Sequence, residues 1–181
     1  MRTFEAASQA VEVNGETVLA IVSGLPFGPA QALRVLAAHG IRDPQPGQWF
    51  RQQAWLDAFR EIAATLGPNT LYAIGRKIPD QARFPAPITS LHRALAAIDE
   101  AYRLNHRGGP IGAYRFEADG PGRALLVCDN PYPSDFDRGI ITAMAERHRP
   151  AGADVRVTLD PARPTRKQGG DSCTFVVTWE A

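Results

Sequence analysis

The feature that most constrains this chain is a change of hydrophobic period at Gly108-Gly109-Pro110. Before it, apolar residues recur at helical spacing. Trp55, Ala58, Phe59, Ile62, Ala63 and Leu66 follow an i, i+3, i+4, i+7 pattern, which predicts a helix over 48–66 ended by Gly67-Pro68. Ile88, Leu91, Leu95, Ile98 and Tyr102 form a second stripe, which predicts a helix over 88–105. After it, strand-like runs at Ile111–Glu117 and Arg123–Cys128 flank a turn at 118–122. A helix capped at Ser134 or Asp135 follows and runs to about Arg147. Strands are then expected over Asp154–Leu159 and Cys173–Trp179. Helices first and strands later predict an α+β fold: N-terminal helices packed on a C-terminal antiparallel sheet of about four strands, with one interposed helix.

The first third is less regular. Asn14-Gly15 between Val-rich flanks reads as a hairpin turn, which would make residues 1–28 an N-terminal hairpin extension; the second flank could also begin a helix. Residues 29–39 read as a helix, with Pro29 at its first turn and Gly40 as its stop. Asn69 is placed as the N-cap of a shorter helix over 70–78, closed by Pro79. With 181 residues and no sharp composition shift, residues 1–181 read as a single domain of ligand-binding type.

Composition excludes several function classes. The net charge of +1 carries no electrostatic footprint for nucleic acid. The longest apolar stretch, Val18–Val22, is far short of a membrane span, and the N-terminus does not read as a signal peptide. Two cysteines make no disulfide framework, so a cytoplasmic location is the expectation. Glycine-rich phosphate loops, a Gly-x-Ser-x-Gly elbow and a His-Glu-x-x-His pair are absent. Tyr132, Asp135 and His106 contain the groups of an acid–base set, but nothing in their spacing demands catalysis. The chain reads as non-catalytic.

The candidate site residues are therefore those of a binding pocket. Trp55 and Tyr72 belong to an early concentration of aromatics that either fills a core or lines a cavity. His92, Asp99 and His106 repeat every seven residues along one edge of the 88–105 helix. Two turns separate neighbours in that series, too far for both histidines to hold one metal ion. His92 reads either as a polar border or as a donor into a pocket. Tyr102, Asn105 and His106 end the same helix, and Tyr132 sits in the polar, proline-rich turn 129–137. Cys128 and Cys173 read as two buried thiols, since a structural zinc wants four ligands.

The second half resembles a known superfamily. Val127-Cys128-Asp129-Asn130-Pro131-Tyr132-Pro133, a helix and a strand are followed by Thr165-Arg166-Lys167-Gln168-Gly169-Gly170-Asp171-Ser172-Cys173-Thr174-Phe175 and a closing Val-x-Trp. This looks like the C-terminal half of 4-vinyl-reductase-like domains. It also resembles the wider group that holds haem nitric-oxide/oxygen-binding domains and TRAPP-type trafficking subunits. The TLYAIG, NHRGG and NPYP segments look like a group of uncharacterised bacterial proteins.

The resemblance covers roughly residues 45–180. It implies a bacterial sensor-type domain that binds a small apolar or lipid-like ligand in a cavity between helices and sheet; the residues singled out above, Trp55, Tyr72, His92, Tyr102, Asn105, His106 and Tyr132, are the expected ligand contacts. It also implies a homodimer acting through a separate output protein. Zinc is not expected, because Thr165 stands eight residues before Cys173 where zinc-containing relatives have a second cysteine. Haem is the runner-up cofactor, with His92 as axial ligand and gas sensing as the function. Against it, the Tyr-x-Ser-x-Arg motif that holds haem propionates is missing. No cofactor is the leading expectation. A scaffold subunit with a filled core is the remaining alternative.

Overall fold

The computed structural model describes residues 1–180. In chain order the elements are β1 (Glu12–Asn14), α1 (Gly15–Gly24), α2 (Pro29–Ala38), β2 (Trp49–Arg51), α3 (Gln52–Leu66), α4 (Pro68–Gln81), α5 (Leu91–Leu104), β3 (His106–Arg107), β4 (Ala113–Ala118), β5 (Arg123–Asp129), α6 (Ser134–Arg147), β6 (Asp154–Leu159) and β7 (Cys173–Glu180). A 3-10 turn at Arg166–Gln168 lies in the β6–β7 connection. The four later strands form an antiparallel sheet in the order β4-β5-β7-β6, with α6 interposed between β5 and β6. The expected α+β architecture is present.

Alternation along the strands sorts the sheet into two faces. Register aligns Phe116, Leu126, Phe175 and Leu159 across one row, and Tyr114, Cys128 and Cys173 across another. Most of these residues are buried, and all join the core with the inner faces of α3, α5 and α6. Cys128 and Cys173 are free, fully buried thiols. Helix α6 is buried on most of its circumference, because it is sandwiched between the sheet and α4. The α4–α6 crossing is held close by paired glycines. A Cβ on Gly75 would lie 2.2 Å from the Phe136 carbonyl oxygen, and one on Gly139 would lie 2.2 Å from that of Tyr72.

The hairpin expected at Asn14-Gly15 does not form. Asn14 instead caps α1, its side chain accepting the Thr17 N–H at 3.1 Å, so the chain turns into a helix there. The short strand before it pairs with distant partners, β2 on one side and β3 on the other. Residues 1–28 are thus part of the body of the fold and not an extension. Helix α4 is longer than expected. Gly67 and Pro68 open it, not Asn69, and it runs through Pro79 to Gln81. A proline so near the end removes a single late N–H bond, and the helix closes normally with the Ala82 N–H on the Ile78 carbonyl. No helix among the described residues is long and apolar enough to cross a membrane.

Candidate functional site

A cavity of about 30 Å³ lies where α3, α4, α5 and α6 meet β4. Its wall exposes no polar atom and includes Trp55, Ile78, Phe84, Ile98, Tyr102, Tyr114, Tyr132, Phe136 and Ile140. One water needs about 10–15 Å³ on this measure, so the space takes a molecule of a few heavy atoms. An apolar wall of this kind favours apolar guests. A lipid-like ligand has no room in it.

The sequence singled out five residues that the fold brings to this wall: Trp55, Tyr102, Asn105, His106 and Tyr132. Their polar atoms are largely committed to one another and to backbone. Gln52 Nε2 donates to the Tyr132 hydroxyl at 3.1 Å, and that hydroxyl donates to His106 Nε2 at 2.6 Å. His106 Nδ1–H donates to the Tyr102 carbonyl at 2.8 Å. This chain assigns the neutral Nδ1–H tautomer. The Tyr102 hydroxyl donates to the Ile111 carbonyl at 2.5 Å. Burial pushes the Tyr102 and Tyr132 hydroxyls well above the ordinary phenol range, so both remain neutral donors.

Asn105 is fully spent. Its Oδ1 accepts from Asn14 Nδ2 at 2.6 Å and from the Arg83 N–H at 3.0 Å. Its Nδ2 donates to the Arg83 and Ala101 carbonyls at 2.8 and 2.6 Å. That exhausts an amide's two donors and two lone pairs. Asn105 is therefore a clasp joining β1, the α4–α5 connection and the end of α5, and has nothing left to orient a ligand. Two buried polar atoms near Tyr132 are without partners, the Trp55 indole N–H and Gln52 Oε1. The Trp55 ring meets Phe59, Tyr132 and Phe136 edge-on.

Two of the expected site residues lie elsewhere. Tyr72 is on the α4 surface facing α6, where Arg138 stacks on its ring and the Arg76 guanidinium donates to its hydroxyl. His92 is exposed, its ring against Phe116 and Trp179. It follows Leu91, which points inward, and one helical step of 100° carries it off the buried stripe. Asp135 turns to Lys167 at 2.7 Å, so Tyr132, Asp135 and His106 do not assemble into an acid–base set.

The polar centre that sequence reasoning missed is built on Arg166. Its guanidinium bonds the Cys128 and Asn130 carbonyls at 2.9 and 2.7 Å and pairs with Asp137. Asp137 also accepts the Tyr114 hydroxyl at 2.6 Å. The side chains of Arg166 and Asp137 are only 2% and 0% exposed. Burial pushes the Asp137 carboxyl up, against the opposing pull of Arg166 and of the Tyr114 and Asn130 donors. The available signal was Thr165-x-x-Gln168, a capping box that orders the turn carrying Arg166.

His106 supplies a pH prediction. Burial lowers its pKa from 6.5 to about 4. Between these values the unfolded chain takes up a proton that the folded chain refuses. The stability from this group is thus complete above about pH 6.5 and is lost as pH falls toward 4, by about 3 kcal/mol. Urea unfolding across that window should show the loss, and His106→Gln should flatten that part of the profile. An unchanged slope in the variant would mean that other groups carry it.

Helices packed on a four-stranded antiparallel sheet, with an aromatic-walled cavity at their junction, define an α+β domain whose fold is similar to that of solved H-NOX proteins. Solved H-NOX structures share this fold over nearly their whole length. The H-NOX protein from S. oneidensis in its Fe(II)NO ligation state is similar with a TM-score of 0.67 and 11% identity, over 93% of this chain and 99% of that one. The unliganded Fe(II) H-NOX protein from K. algicida gives 0.63 and 11%, over 93% and 97%. An oxygen-binding H-NOX domain related to soluble guanylate cyclases, in its oxygen complex, gives 0.64 and 11%, over 92% and 93%. No family model matches the sequence, and no curated protein matches it.

The residues present do not fit a haem in this conformation. The cavity is far below the roughly 300–1,000 Å³ of ordinary small-molecule sites. His92 is outside it, and both ring nitrogens of His106 are bonded. Arg166, the buried guanidinium, is spent on Asp137 and carbonyls.

Proposed function

We propose that this chain is a non-catalytic sensor-type domain that binds a small apolar molecule directly in the cavity between its helices and sheet. The carrying observation is the cavity itself: a small pocket with an apolar wall, within a fold shared with H-NOX proteins. Its size suits a gas or a similarly small apolar compound. An effect of binding would leave the domain through a separate output protein, since no catalytic set is assembled around the cavity.

Haem-based gas sensing is the second reading. The fold favours it, because the similar H-NOX structures include Fe(II)NO and oxygen-bound states. It requires the cavity to expand several-fold and an axial donor other than His92. One pair of measurements separates the two. Protein made with a haem precursor is expected to show no Soret band, and xenon is expected to shift the methyl resonances of Ile78, Ile98 and Ile140 saturably. A Soret band that persists through purification would replace direct binding with haem.

A further inference from the structure

We infer that Phe84 is the gate of the cavity and that the Asn105 clasp sets how readily it opens; this rests on reading the cavity as a ligand site. Of the lining residues, only Ala82 and Phe84 are incompletely buried. The mouth therefore lies under the irregular segment 82–90 between α4 and α5. Every other lining side chain is buried, on a helix, a strand, the cap of α5 at Asn105 or the bonded turn at Tyr132.

The segment is tethered almost entirely at Arg83. Its backbone N–H and carbonyl both bond Asn105, at 3.0 and 2.8 Å. Its guanidinium pairs with Glu16 of α1 from a half-exposed position, where ion pairs hold weakly. Residues 84–89 make no hydrogen bond to the rest of the described chain. Phe84 is thus held over the cavity by packing and by one neighbouring clasp. Swinging it outward breaks no polar contact of its own and vacates the space of a phenyl ring.

The geometry sets the ligand class. With Phe84 in place the cavity takes a molecule of a few atoms. With Phe84 displaced it takes a small apolar ring, seated among Ile78, Ile98 and Ile140. Coupling follows from the same contacts, because a ring in that seat holds segment 82–90 away from the α5 end.

The test uses the full chain, with xenon and benzene as probes and the isoleucine methyl resonances as readout. Wild type should bind xenon at Ile78, Ile98 and Ile140 and respond weakly to benzene. Phe84→Ala should bind benzene at the same methyls at least about tenfold more tightly. Asn105→Asp, which keeps the acceptor and loses both donors, should speed xenon exchange. Arg83→Pro, which removes the backbone N–H that Asn105 Oδ1 accepts and leaves the buried Asn105 side chain in place, should act in the same direction and covers the case in which the Asn105 variant does not fold.

A wild type silent to xenon overturns the ligand-site reading, and the gate with it. Xenon binding with no gain of benzene binding in Phe84→Ala, or a gain at other methyls, overturns the gate alone. Unchanged xenon exchange in the folded tether variants removes the clasp from the mechanism.

Discussion

Arg166→Met is expected to unfold about 3–5 kcal/mol more easily than the parent chain in urea. The substitution keeps most of the side-chain volume and removes the charge. Asp137 then stands in the core with Tyr114 and Asn130 as its remaining donors, and the Cys128 and Asn130 carbonyls lose theirs. An uncompensated buried carboxylate, not the loss of attraction, dominates the cost. Two consequences separate this account from simple loss of packing. The deficit should shrink as pH is lowered, because a carboxyl raised by burial and stripped of its cation escapes the penalty by taking up a proton. Adding Asp137→Leu to Arg166→Met should recover part of the loss, since an apolar pair can replace a buried ion pair at little cost. A deficit independent of pH and undiminished in the double variant would show that Arg166 acts through shape alone.

The second large effect falls on the α4–α6 crossing. Gly75→Ala would ordinarily gain up to about 1 kcal/mol of helix propensity. Here the new methyl meets the Phe136 carbonyl at 2.2 Å and the Gly139 Cα at 3.1 Å. Both obstacles are backbone and cannot rotate away, so the helices must separate along their most extensive contact. Overpacking of this kind costs about 1–3 kcal/mol and occasionally more. A fall in Tm of several degrees is expected, at roughly 2–4 °C per kcal/mol for a chain of this length. Gly169→Ala is the control, with a left-handed φ of 83° and no atom within 4 Å of the new methyl. It should lose less than Gly75→Ala, because its strain is local. Equal losses at the two sites would mean that the crossing tolerates separation.

The order of elements was legible in the sequence because it rests on periodicity, which a single chain carries in full. The stripes of α3 and α5 and the four strands of the sheet fall within a few residues of expectation. Asn14-Gly15 left a hairpin and a helix start both open, because a hairpin turn and a helix cap use the same residue type. The choice was made by Thr17, whose N–H and hydroxyl both go to the Asn14 side chain. His92 and His106 shared a heptad edge on paper, but the helix ends at Leu104. His106 belongs to β3, and its ring turns inward to Tyr132 while His92 stays at the surface. Arg166 was hidden for another reason. Its burial depends on a long polar connection folding back onto the β5–α6 turn; the Thr165–Gln168 capping box announces the turn that carries it but not that return.

The Asn14–Asn105 contact also bears on how the chain finds its shape. It joins positions 91 residues apart, and the sheet around it consists of strands two or three residues long. Closure entropy grows only with the logarithm of the loop, so each doubling of length adds about 0.6 kcal/mol. A stitch across half the chain is therefore only slightly harder to close than one across a quarter of it. A few well-paired amides can hold the start of the helical half against its end without a long strand or a covalent link.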